Sequence, residues 1–319
     1  MPSPNANFDD ILSITMQRLE PVLVDQITAK NATLSSIDQE GVDGGPTIVV
    51  PIMYAENGSY KRYSGAEQLN TSKNDVFSAF QYPWCQVAIN IQTTGRDVAI
   101  NSGASKVKDL VKSLVLNAKA SFQNNFNEDL LSDGSLSNQV NGFQALISDN
   151  GTGSVGGVSR SAFSFAKNQF FRATTDGGQA LSATNIVGYM DDLDLLIGAY
   201  KGNTKLILAD NATYKMYEGT VHPLQRITAQ DGKLARLGFK AYAYKGAEVV
   251  YEPQIAGMPA STMYFIDPDV IKLKYHTDRN LVRLPKRDSF NQDASIEYMV
   301  WMGNLVASNF RMLGVLNND

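Results

Sequence analysis

Gly151, Gly153, Gly156 and Gly157 come nearest, by type and spacing, to residues that could do chemistry. Gly151-x-Gly153-x-x-Gly156 matches the dinucleotide-binding pattern, in which glycines let a tight turn approach a pyrophosphate at a helix amino terminus. That chemistry needs a buried strand in front and a helix behind. In front stand Leu146-Ile147-Ser148-Asp149-Asn150, too short an apolar run for a buried parallel strand. Behind, Gly157-Val158-Ser159-Arg160-Ser161 carry neither helical periodicity nor a cap. The flanks favour turns that need positive φ or close backbone approach. A soluble enzyme binding a nucleotide at Gly151, Gly153 and Gly156 stays as the remote alternative.

Other reactive groups are sparse. Cys85 with His222 or His276 is the only cysteine–histidine pairing on offer, and Cys85 lies in an aromatic stretch that suits a small buried or interfacial residue. Two distant histidines give no zinc spacing. Asp191-Asp192-x-Asp194 reads as the polar side of a helix and Asp267-Pro268-Asp269 as a turn; neither has the spacing of a calcium loop. Arg279, Arg283, Lys286 and Arg287 cluster near the carboxyl end. They read as a solvated or paired face, with weak nucleic-acid contact as the lesser reading. No catalytic residue, metal site or cofactor is expected.

The elements that position these residues belong to a globular chain. Its 319 residues are 43% apolar with a formal net charge of -4, which argues against a DNA-reading groove. One cysteine excludes an internal disulfide. MPSPNANFDD lacks the basic and apolar parts of a signal peptide, and no apolar run approaches a membrane span. Phe8, Ile11, Leu12, Met16 and Leu19 predict an amphipathic helix over 8–20, stopped by Pro21, with a further turn or two over 22–30. Thr47–Tyr54 and Val87–Gln92 predict strands, joined through polar residues with scattered aromatics. Two strands with so little core of their own predict a protruding hairpin that a neighbouring subunit covers. Val107, Leu110, Val111, Leu114, Ala118, Phe122, Phe126 and Leu130 predict a long helix over 103–131, capped at Asn101 or Ser102 and ended by Asp133-Gly134. A second amphipathic helix follows Thr184, Lys205–Ala209 is a short buried strand, and Asp210-Asn211 caps another helix. Strands are predicted at 239–244, 248–251, 262–266 and 270–276, with mixed signals over 296–316.

In that order the features resemble the major capsid proteins of tailed bacteriophages, the Hong Kong ninety-seven type, over essentially the whole chain. Gly142-Phe143-Gln144-Ala145-Leu146-Ile147 followed by Gly153-Ser154-Val155-Gly156-Gly157-Val158-Ser159-Arg160 resembles the family's glycine-rich stretch, with Phe165 or Phe171 where a tryptophan is frequent. Tyr264-Phe265-Ile266-Asp267 resembles a late family strand. Gly303-Asn304-Leu305-Val306 with Asn309, Arg311, Gly314 and Leu316 resembles the carboxyl end. The resemblance implies an α+β fold: an amino-terminal arm over 1–45, an extended loop over 46–100, a peripheral domain over 101–172 with its spine helix at 103–131, an axial domain over 173–261, and return strands over 262–319.

It also implies a non-enzymatic subunit that self-assembles into pentamers and hexamers of an icosahedral head. The expected partners are further copies of the chain, a portal at one vertex, separate scaffolding and decoration proteins where the phage has them, and double-stranded DNA held by confinement. No membrane is involved. The expected location is the virion, with assembly in the host cytoplasm. Because the arm begins almost at Met1, no leading scaffold segment is expected. A lysine–asparagine crosslink, found in part of the family, would use Lys61 or Lys73, but no dedicated partner stands out. An encapsulin shell of the same fold is the alternative. The candidate intersubunit contacts are Ile48, Val50, Tyr54, Tyr60, Tyr63, Phe77, Phe80 and Trp84.

Overall fold

The computed structural model describes residues 32–100, 110–221, 241–252, 257–288 and 291–319. The helix expected over 8–20, the turns over 22–30, the first turns of the spine helix with their cap, and His222 lie outside the described residues.

A helical turn, Ala32–Ser36, leads into β1 (Asp38–Val42), β2 (Ile48–Met53), β3 (Phe77–Tyr82) and β4 (Cys85–Thr94). The long helix is described over Leu110–Leu131. A short helix, Phe143–Leu146, precedes β5 (Ser154–Val155) and β6 (Val158–Ser159), and β7 (Gln169–Arg172) follows. Helix Ile186–Gly198, β8 (Leu206–Ala209) and helix Asn211–Val221 come next, then β9 (Ala241–Tyr244) and β10 (Ala247–Tyr251). The chain finishes with β11 (Met263–Ile266), β12 (Ile271–His276), β13 (Val282–Arg283), β14 (Arg287–Asp288), β15 (Ala294–Ala307) and β16 (Gly314–Asn317).

The first sheet is organised by β15, whose early part pairs antiparallel with β4 from Ala294↔Thr94 to Gly303↔Cys85. Its later part pairs with β12, from Tyr275↔Gly303 to Ile271↔Ala307, and β1 runs parallel to β12. The long helix packs on this sheet. Phe122 and Phe126 stack at 5.1 Å, and Phe126 meets Trp301 edge-on at 4.7 Å. The helix stops at Leu131, and Gly134 turns the chain at φ +67°, as Asp133-Gly134 predicts.

The second sheet has the order β7-β16-β11-β8-β10-β9 and is the wall between two apolar cores. Strands buried on both faces read as continuous apolar runs rather than alternating ones. Here Leu206, Leu208, Tyr264, Ile266 and Val315 face the core of the long helix, while Ile207, Ala209, Met263, Phe265 and Leu316 face the second core. Helix Ile186–Gly198 seals that second core with Ile186, Met190, Leu193 and Ile197, all buried. Thr184 does not cap it: Asn185 stands at the cap and its side chain bonds to Ser182 N at 2.8 Å instead. Asp210 does cap the following helix, accepting from Thr213 N at 2.9 Å.

The expected pairing across 46–100 needs correction. A hairpin is present, but β2 pairs with β3 from Ile48↔Tyr82 to Met53↔Phe77. The strand predicted over Val87–Gln92 lies within β4 and joins the first sheet instead. Gly45-Pro46 and Pro83 bracket the true hairpin, and an alternating strand such as β4 pairs wherever its apolar phase finds a core. The mixed signals over 296–316 resolve into one long strand, a 3-10 turn at Phe310–Met312, and β16.

Candidate assembly interface

The β2–β3 hairpin sorts its side chains by the period of a strand, because successive residues point to opposite faces. Ile48 and Val50 face inward with their cross-strand partners Tyr82 and Phe80, and none of the four exceeds 6% exposure. Phe80 meets Phe310 edge-on at 5.0 Å and Phe165 at 6.0 Å. The Tyr82 hydroxyl donates to Ala307 O at 3.0 Å, and burial pushes its pKa up. Ile48, Val50 and Phe80 were expected as contacts to a neighbour. They are instead consumed by the chain's own core, because Phe165, Phe310 and β15 supply the apolar surface the isolated hairpin lacks.

The opposite face carries Val49, Pro51 and Met53 against Gln81, Ala79 and Phe77. Met53 is 73% exposed and Phe77 76%. Of the expected contacts, Phe77, Tyr60 and Tyr63 are solvent-facing, while Tyr54 and Trp84 are half-buried. Trp84 donates from Nε1 to Gly45 O at 2.8 Å and packs against His276 at 5.7 Å. Tyr54 packs on Phe165 at 5.5 Å and donates its hydroxyl to Asp75 O at 2.9 Å. Val49 and Met53 were missed in the sequence. The signal was there, since they share the strand phase opposite to Ile48 and Val50.

Residues 54–76 extend the hairpin without regular structure. The segment is closed at its base by Tyr54 N to Val76 O at 3.0 Å, and Asn74 Nδ2 donates to Asn57 Oδ1 at 2.8 Å. Lys61 pairs with Glu67 at 3.0 Å.

The glycine motif is part of the same construction. Gly156 and Gly157 turn the β5–β6 hairpin at φ +53° and +79°, the left-handed pair a two-residue hairpin turn demands. Gly156 O accepts from Gln81 N on β3 at 3.0 Å, and a Cβ at Gly156 would lie 2.7 Å from Phe80 Cβ. Arg160 follows and is buried. It donates to Ala145 O and Leu146 O at 2.9 and 2.6 Å, closing the carboxyl end of helix Phe143–Leu146. Burial pushes the guanidinium below its ordinary pKa. Every polar contact named here is spent inside the chain's own packing, on the hairpins or on the end of helix Phe143–Leu146. A phosphate loop would instead aim free amides at open space at the start of a helix.

Several other candidates are likewise engaged. Cys85 is buried and donates to Gln139 O at 3.0 Å. Burial first, then the Asp129 charge, push its pKa up, the reverse of an activated thiolate. His276 Nδ1 accepts from Asp278 N at 3.2 Å. Lys245 bridges Asp191 and Asp194 at 2.8 and 3.2 Å, and Lys205 pairs with Asp269. Arg283 pairs with Glu297, whereas Arg279, Lys286 and Arg287 are exposed. Among the described residues, no three His, Cys, Asp or Glu side chains are grouped to hold a metal. No helix there is long and apolar enough to cross a membrane.

No protein-family model and no curated protein matches the chain. Solved structures do. A chain of the cyanophage A-1(L) capsid superposes with a TM-score of 0.69 at 14% identity, over 94% of this chain and 95% of that one. A chain of the capsid of an empty GTA particle gives 0.59 at 14% identity, over 92% and 99%. A chain of the holo-SrpI encapsulin complex from Synechococcus elongatus PCC 7942 gives 0.55 at 9% identity, over 96% and 94%. At these identities the likeness defines the fold. It is the α+β shell fold of the Hong Kong ninety-seven type.

Proposed function

We propose that this chain is the major capsid protein of a tailed bacteriophage, a structural subunit and not an enzyme. It self-assembles into pentamers and hexamers of an icosahedral head around double-stranded DNA. One observation carries the reading: the superposition on the cyanophage capsid chain is nearly complete in both directions. The parts follow. Residues 1–45 act as the arm, 46–100 as the extended loop, 101–172 as the peripheral domain, 173–261 as the axial domain and 262–319 as the returning strands. The two cores on either side of the second sheet support a division of this kind. Lateral contacts run through the outward face of the β2–β3 hairpin, with Met53 and Phe77, and through the segment bearing Tyr60 and Tyr63. Stable interfaces bury about 1,600 Å² in total, and exposed aromatics of this kind are what such an interface uses.

A portal at one vertex, separate scaffolding and decoration proteins where the phage has them, assembly in the host cytoplasm and residence in the virion belong to this reading. With a net charge of -4 the chain holds DNA by confinement rather than by a basic lining. The encapsulin match supports a second reading, an empty-genome protein compartment, at a lower TM-score. Particles purified from the native source decide between the two. The capsid reading expects nuclease-protected double-stranded DNA of uniform length inside them. Particles that consistently lack DNA but enclose a protein cargo would favour the compartment.

A further inference from the structure

The chain contains the dipeptide Asn-Gly at Asn57-Gly58, Asn141-Gly142 and Asn150-Gly151. The same bond chemistry is open to each. The backbone nitrogen of the glycine attacks Cγ of the asparagine, the Cγ–Nδ2 bond breaks, and ammonia leaves with the proton the glycine nitrogen gives up. Water then opens the resulting succinimide at either carbonyl, giving aspartate or isoaspartate. The reaction needs a nucleophile that water can reach. It also needs stabilisation of the negative charge that grows on Oδ1 in the tetrahedral intermediate, the task of an oxyanion hole.

The structure assigns this self-modification to Asn57. Its Oδ1 already holds three donors: Ser59 N at 3.0 Å, Ser59 Oγ at 2.7 Å and Asn74 Nδ2 at 2.8 Å. Gly58 is exposed, and its N–H donates to no backbone carbonyl among the described residues. Asn150 has half of this arrangement. Its Oδ1 accepts from Ser148 Oγ, Thr152 N and Thr152 Oγ1 at 3.1, 3.1 and 2.6 Å. Gly151, however, is buried at φ +68°, where an added Cβ would lie 2.9 Å from the Phe170 ring, so its nitrogen is shielded and fixed. Asn141 is worse placed still. Gly142 is buried against the Ser132 carbonyl, 2.0 Å from an added Cβ, and its own carbonyl is held by Ala145 N and Leu146 N at 3.1 Å each. Either product places a new carboxylate beside Asn74 at the base of the 54–76 segment, and isoaspartate also adds a backbone carbon there.

The test is peptide mapping by mass spectrometry on the purified full chain held in mildly alkaline buffer, with isoaspartate scored by methyltransferase labelling. In the folded chain Asn57 should convert at least about tenfold faster than Asn150 or Asn141, a gap worth about 1.4 kcal/mol of barrier. In urea the three sites should react at similar rates. Ser59→Ala and Asn74→Ala should each slow Asn57 in the folded chain by several-fold, and both positions lie outside the core. Equal rates at the three folded sites, an Asn57 lead that persists in urea, or variants that leave the Asn57 rate unchanged would overturn the assignment.

Discussion

Ile48 and Met53 stand on one strand and answer to different surroundings. Ile48 is 2% exposed against Tyr82, and Met53 is 73% exposed against Phe77. An uncompensated charge in a core costs about 3–5 kcal/mol, whereas exposed substitutions stay within about 0.5 kcal/mol. Val50→Asp should therefore shift the urea midpoint of the subunit itself by an amount equal to about 3 kcal/mol or more. Met53→Asp and Phe77→Asp should leave the midpoint in place and stop particle formation on sedimentation. Shells formed normally by the Phe77→Asp chain would remove the hairpin from the interface. Gly156 makes the second residue-scale case. Its φ of +53° and the 2.7 Å approach to Phe80 Cβ mean that Gly156→Ala should cost about 1–3 kcal/mol in chemical unfolding. A substitution cheaper than that would mean that the β5–β6 hairpin is not clamped on β3.

Helix Asn211–Val221 and the β9–β10 hairpin gather tyrosines in the second core. Tyr217 is buried, donates to Ala243 O at 2.9 Å, and has its pKa pushed by burial from 10.0 up to about 12. Burial pushes Tyr214 and Tyr244 up as well, with Asp191 adding to the effect on Tyr244. The folded lobe thus keeps protons that the unfolded chain gives up. Stability from these groups is complete below pH 10.0, the ordinary value, and is lost as pH rises toward 12. The last part of the tyrosinate absorbance rise, beyond what exposed tyrosines such as Tyr60 and Tyr63 contribute, should coincide with the loss of near-ultraviolet circular dichroism in that window. A full tyrosinate rise reached while the dichroism is still intact would contradict the coupling.

The same element scale shows what local pattern can carry. β8 and β11 were legible because burial on both faces leaves a continuous apolar run, and the long helix because its stripe recurs at helical spacing. β3, Phe-Ser-Ala-Phe-Gln-Tyr, read only as scattered aromatics, since its strand character depends on facing β2. The pairing of β4 with β15 joins residues some two hundred positions apart, and no local signal specifies such a partner. At the candidate interface the alternation of β2 was visible. Which phase turns inward is decided by Phe165, Phe310 and Ala307, far along the chain. The glycine motif was legible as turns, but Arg160 as their buried anchor was not, because an arginine in a polar loop carries no sequence mark of burial.

At the scale of the whole molecule, two cores share one sheet, and a hairpin with one face in the core turns its apolar other face to solvent. On the proposed capsid reading, that exposed face is apolar surface left for a neighbouring copy to cover. Electron cryomicroscopy of the purified chain under assembly conditions tests this most directly. Closed shells of pentamers and hexamers are expected, with Met53 and Phe77 of each subunit covered by a neighbour. A chain that stays monomeric or dimeric under every condition tried, with Met53 and Phe77 still open to solvent, would contradict it.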